Sequence, residues 1–323
     1  QAKWKGIVSA PVTDNRPAAP ALLSYRPWRG QLRGPGHGVW AIAQVALLML
    51  LRRRLFWGLY GFSAMIFLFF FYMQYLHVWV DKQLAGETVS LGPIAIPASE
   101  IRNFLAQGLE LNGSGFTYRN LISFEGYIVM IVLALAGSVI MGNDFRFGSL
   151  PFYLSKPLHR WHYLFGKFLA IAIFTNLMTA LPAFILYVQY GLIESWRYYY
   201  ERAALLLGIF GYGMALSLVL GLLLLATAVW LKRTVPLIMV WTAIFVFARM
   251  LADMLARFDP RWRLVDIWND LYLVGNWCLW MPRNTIRPGN QPAYWQAATV
   301  LAALCIVCLL YLNRRIQAVE IVT

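Results

Sequence analysis

Arg249 and Asp253 stand four residues apart inside one apolar run, and Glu125 falls at a comparable depth in another. An ionisable side chain at a bilayer centre costs about 2.5–3.5 kcal/mol on insertion scales, so each of these groups needs a partner. Four-residue spacing puts Arg249 and Asp253 on one helical face as an ion pair, and Glu125 is expected to join them across a bundle. Fixing helix packing is the first reading of this intramembrane polar cluster, and contact with a substrate or proton is the second. Other chemistry is poorly supplied. Gly61-Phe62-Ser63-Ala64 loosely echoes a serine-nucleophile motif, but His37, His77, His159 and His162 all fall in loops or at span ends. With no base at matching depth, Ser63 reads as a small packing residue. The same histidine distribution argues against a haem between spans, and no HExxH or paired-cysteine spacing marks a metal centre. Cys305 and Cys308 lie in an apolar run and Cys278 stands alone, which defines no disulfide framework. No GxxxxGK[ST] phosphate loop occurs, and the glycines of 34–38 lack its lysine, so ATP hydrolysis would belong to another chain. No catalytic residue, metal or bound cofactor is expected here.

The elements that must carry these residues are membrane spans. Of 323 residues, 60% are hydrophobic and 13% charged, far more apolar than a soluble domain. A bilayer core of about 30 Å needs about 20 apolar residues as helix, and six segments approach that length: 55–77, 121–142, 163–190, 203–231, 234–256 and 296–312. The run 39–51 reaches only about 20 Å as helix and is expected to lie in the interface as an elbow over 39–54, with Arg52, Arg53 and Arg54 at its junction to the first span. A net charge of +14 would suggest nucleic acid in a soluble protein. Here most of the 28 Lys and Arg fall on the side of the two termini and most of the 14 acidic residues on the other, so the charge is topological. The positive-inside rule then puts both termini in the cytoplasm.

The expected fold is therefore an all-α integral membrane protein. A cytoplasmic N-terminal arm (1–38) and the elbow precede a six-helix domain over 55–312, and a cytoplasmic tail (313–323) follows. The arm lacks the pattern of a secretory signal and is expected to be mobile or ordered by a partner. Of the outer loops, 78–120 has room for a helix over 98–111 with Ser99 as its cap. The other, 257–295, mixes Trp262, Trp268, Trp277 and Trp280 with charges, as interface anchors do, and 265–273 suits a short interfacial helix. Lys167, at the entrance to the third span, reads as another membrane anchor.

Between the second and third spans lies NDFRFGSLPFYLSKPLHRWHYLFGK, residues 143–167, charged and punctuated by Pro and Gly. Phe145, Phe147, Phe152 and Tyr153 offer apolar knobs with Arg146, Lys156 and Arg160 at the rim, a composition that fills a groove on a soluble partner. Asp144 is placed to cap a short helix, and Pro157 to end it. Asp144, Gly148-Ser149-Leu150, Lys156-Pro157, Arg160 and Gly166-Lys167 together resemble the first cytoplasmic loop of type 2 ATP-binding-cassette (ABC) permeases. That loop commonly reads acidic residue, Gly-Thr-Leu, Lys-Pro with a nearby Arg, then Gly-Lys, and serine stands here for the usual threonine. The resemblance implies a coupling helix within 143–162 that docks on cytoplasmic ATPase subunits, which would hold ATP and Mg. It also implies an export pathway formed with a second permease chain in the plasma or inner membrane. The ATPase contacts it implies are Asp144, Phe145, Arg146, Phe147, Gly148, Ser149, Phe152, Lys156, Pro157 and Arg160.

Two other classes compete. A membrane scaffold or mechanotransmission subunit would relay ATP-driven movement to an extracytoplasmic subunit and move no solute. An ion-coupled secondary transporter would need broken helices and mid-membrane polar groups, for which only Glu125, Arg249, Asp253 and Pro182 are candidates.

Overall fold

The computed structural model describes residues 34–83, 88–91, 94–97, 100, 103–105, 110–148, 159–282 and 291–316. The first helix, α1 (Pro35–Leu51), opens on a proline at its first position, where no amide partner is needed, and is 17 residues long. Then come α2 (Arg54–Gln83), a two-stranded antiparallel hairpin of β1 (Thr88–Leu91) and β2 (Ile94–Pro97), and α3 (Gly115–Arg146). The hairpin pairs Thr88 with Pro97 and Leu91 with Ile94, and among the described residues it is the one β element beside the helices. Beyond α3 lie α4 (Arg160–Glu194), α5 (Arg197–Glu201), α6 (Ala203–Leu231), α7 (Thr234–Leu255), a 3-10 turn (Pro260–Val265), α8 (Ile267–Cys278) and α9 (Tyr294–Arg315).

Six of these, α2, α3, α4, α6, α7 and α9, are long and apolar enough to cross a membrane, as a multi-pass membrane protein requires. They coincide with the six expected spans, extended at several ends. Alternation of direction gathers Arg54, Arg146, Arg160, Arg233 and Arg315 at one end of the bundle, hereafter the basic end. Three local features interrupt the regular α-helical ladder of the spans. Pro182 in α4 has no amide for the carbonyl of Met178, and the helix breaks at Thr179, whose φ and ψ are −115° and −64°. In α3 a π-helical stretch occupies Ser138–Gly142, and in α7 another occupies Ala243–Phe247. Such bulges release a backbone carbonyl that something else must satisfy.

The core runs along α3, α4 and α6, whose facing residues are almost wholly buried, while α2, α7 and α9 leave most of their apolar surface exposed. Small residues let the helices approach. A Cβ on Gly166 of α4 would stand 2.9 Å from Ile42 Cβ and 3.0 Å from the Val39 carbonyl oxygen, so α1 lies directly on the start of α4 there.

Opposite the basic end, α8 is not the surface helix expected over 265–273. Asp266 caps it, its Oδ1 accepting from the Trp268 amide at 3.0 Å. The helix then inserts among α3, α6 and α9. Trp268 stacks on Tyr127 with ring centroids 4.2 Å apart, and a Cβ on Gly208 of α6 would meet the Cys278 carbonyl oxygen at 2.4 Å. Trp268 is therefore a core residue, 3% exposed, and not an interface anchor. Its pairing with Tyr127 across 141 positions of chain, and the burial of its neighbours Asp266, Asn269, Asp270 and Leu271, decide this. Trp262, Trp277 and Trp280 are exposed, as are Arg52, Arg53 and Arg54 between α1 and α2. Beside α8, the Arg119 guanidinium is fully buried. It pairs with Glu110 at 3.1 Å and donates to Tyr272 Oη at 3.0 Å and Asn276 Oδ1 at 3.4 Å, tying the segment before α3 to α8.

The helix expected over 98–111 falls largely outside the described residues, Ser99 included, and of its span 100 and 103–105 are seen as helical. Most of the N-terminal arm and the end of the C-terminal tail also lie outside them.

Candidate functional site

At the basic end α3 continues past its π-helical stretch to Arg146 and stops at Phe147 and Gly148, whose φ is +66°. This tip is held from two sides. Lys167, about two turns into α4, places Nζ 2.8 Å from Asp144 Oδ2 and 2.6 Å from the Ile140 carbonyl oxygen, inside the π-helical stretch. Tyr163 donates its hydroxyl to the same Asp144 oxygen at 2.7 Å. From the other side, Ser138 and Thr234 hydroxyls meet at 2.5 Å, and a Cβ on Gly142 would stand 3.2 Å from the Lys232 carbonyl oxygen. Lys232 itself takes a left-handed conformation, φ +54°, to turn the chain from α6 into α7.

These contacts correct two expectations. Lys167 is not a membrane anchor: its side chain is 2% exposed and serves both the Asp144 carboxylate and a carbonyl freed by the π-bulge. Asp144 neither caps a new helix nor lies open to a partner, since the helix is continuous through it and its carboxylate is sequestered by Lys167 and Tyr163. A buried lysine without a counter-charge would be costly, and that cost is what draws the two together. Phe145 is half-buried against the core, whereas Arg146, Phe147 and Gly148 are exposed, Phe147 at 68% with the Arg146 guanidinium 5.3 Å from its ring centre. Ser149, Phe152, Tyr153, Lys156 and Pro157 lie outside the described residues. Arg160 is half-buried at the start of α4. There His159 and His162 cap the helix, the His162 ring accepting from the His159 amide at 3.2 Å and the His159 ring from the Trp161 amide at 3.4 Å.

The intramembrane cluster does not assemble as expected. Glu125 and Tyr127 are two residues apart on α3, about 200° around the helix, and so face different neighbours. Glu125 is buried and accepts a hydrogen bond from Ser63 of α2, which is more than a packing residue. Arg249 of α7 instead donates to Tyr127 Oη at 3.2 Å. No ion pair joins Glu125, Arg249 and Asp253 among the described residues, and Asp253 is exposed.

A buried carboxylate that sequence reasoning passed over lies in α8. Asp270 is fully buried, and neither of its carboxylate oxygens has a hydrogen-bond partner. Desolvation, then the nearby Asp266 charge, pushes its pKa up to about 9. No periodic signal betrays it, because α8 is short and its polar face is turned inward.

Across the described residues no cluster of three or more His, Cys, Asp or Glu could hold a metal ion. No family model and no curated protein matches the sequence.

Proposed function

We propose that this chain is the membrane permease subunit of an ATP-driven ABC exporter, with both termini in the cytoplasm and its basic end facing separate ATPase subunits. The observation that carries the reading is the α3 tip. An exposed aromatic and arginine pair sits at the end of a span and is braced by Lys167, Tyr163, Ser138 and Thr234, so force applied at Phe147 is passed along α3. A flexible loop would absorb such a push. On this reading ATP and Mg stay on the ATPases, whose closure moves the tip and, through it, the spans. Helix α1, laid against the start of α4, acts as the interfacial elbow, and the exposed apolar faces of the less buried spans are covered by lipid and a second permease chain.

A second reading, the relay of movement to an extracytoplasmic subunit without solute transport, draws support from the hairpin Thr88–Pro97, structured chain beyond the spans that a pathway does not need. The test is purification of the full chain with a phosphate-loop ATPase and measurement of its ATP hydrolysis. Phe147→Ala is expected to abolish assembly and stimulation, and full retention of both defeats the coupling role. Stimulation that depends on an extracytoplasmic protein and on no solute favours the second reading.

A further inference from the structure

Helix α3 is flanked by two apolar grooves that share Ile131. One, about 570 Å³, lies against α2 and is lined by residues such as Phe62, Phe69 and Tyr127. The other, about 330 Å³, lies against α7 and reaches Phe245 and Val246. Arg249 stands one turn beyond Val246 of the α7 groove, and its guanidinium donates to the hydroxyl of Tyr127, which lines the α2 groove, so a cation is tied to a lining residue of one groove and lies one turn past the other. Six residues, about 9 Å along the axis, separate it from the end of that helix at Leu255.

The charge of Arg249 is incompletely answered. Among the described residues its one hydrogen bond goes to a neutral hydroxyl, and no carboxylate forms an ion pair with it. Asp253, one turn on, is exposed. A guanidinium offers five N–H donors in a fork that matches a phosphate. In apolar surroundings such a group must find a counter-ion, while grooves open to a bilayer are filled by acyl chains.

We propose that this face of α3 binds an anionic phospholipid, with its phosphate headgroup on Arg249 and an acyl chain lying in the grooves on either side of Ile131. The site is independent of the ATPase reading. Charge complementarity selects the acidic headgroup, and the two apolar grooves beside Ile131 select a long chain over a soluble anion.

The experiment is native mass spectrometry of the full chain from detergent micelles doped with equal amounts of phosphatidylglycerol and phosphatidylcholine of matched chains. Wild type is expected to retain the anionic lipid about tenfold better, the factor that about 1.4 kcal/mol supplies. Arg249→Gln should bring the ratio to about one, Arg249→Lys should keep most of it, and Ile131→Trp, which fills the shared groove, should lower retention of both lipids. Equal retention by wild type, or a preference that survives Arg249→Gln, overturns the proposal. So does a lipid-free dimer that Ile131→Cys crosslinks to itself, which would assign the face to a second copy of the chain.

Discussion

Removing the charge of Lys167 should destabilise the protein far more than loss of a surface lysine. In Lys167→Met the Asp144 carboxylate, 12% exposed in its side chain, keeps only the Tyr163 hydroxyl, and the Ile140 carbonyl loses its donor. Breaking a buried pair by deleting one partner typically costs about 3–5 kcal/mol, most of it from the charge left behind. Asp144→Asn should cost a similar amount, because it strands a lysine that is 2% exposed. The double variant removes both charges and should cost much less than the sum, with a coupling energy of at least about 2 kcal/mol. Equilibrium unfolding in mixed detergent micelles, run on wild type, both single variants and the double, measures this directly. Single losses under about 1 kcal/mol, the signature of an exposed pair, or additivity within about 0.5 kcal/mol, would show that the bond does not brace the tip. Hydrogen exchange should also quicken at 138–148 in the single variants while α6 stays protected.

Gly166→Val should strip α1 from α4, because a Cβ there already meets Ile42 and Val39, and limited proteolysis should then cut between Leu51 and Arg54. Trp268→Ala should cost about 3–5 kcal/mol, as for a large core aromatic, which thermal unfolding can read; a loss under about 1 kcal/mol would return Trp268 to the surface. Asp270 has a folded pKa raised to about 9 from the ordinary value of 3.8, so its stabilisation is complete below about pH 4 and is lost as pH rises through 9. Between those limits the native state holds up to one more proton, and stability should fall by up to about 1.4 kcal/mol per pH unit. Melting temperatures from pH 5.5 to 8.5 should show this slope, and Asp270→Asn should flatten it.

Spans were legible in the sequence because the transfer cost of an apolar residue is local and adds along the chain. The segment 55–77 becomes Arg54–Gln83, 163–190 becomes Arg160–Glu194, and 203–231 matches its helix end for end. Partners were harder. Asp144 and Lys167 each stood out as motif residues, yet nothing local says that a π-bulge will present the Ile140 carbonyl to a lysine 27 positions on. Glu125 and Arg249 were rightly marked as groups needing company, but their partners, Ser63 and Tyr127, are neutral and carry no charge signal. Helix α8 was misjudged because its tryptophans suit a headgroup layer as well as a core, and only the close approach of Gly126, Gly208 and Gly275 decides between them. Of the candidate docking residues, exposure at Arg146 and Phe147 followed the expected loop, whereas burial of Asp144 depended on tertiary pairing.

The side of the membrane on which the α3 tip emerges, and what touches it there, bears most directly on the coupling role. Phe147→Cys in whole cells should resist a membrane-impermeant thiol reagent and, in inverted vesicles, react with it unless an ATPase is bound, when a short bifunctional crosslinker should join it to that subunit. Labelling of Phe147→Cys from outside intact cells, with no crosslink to an ATPase in vesicles, would contradict the account.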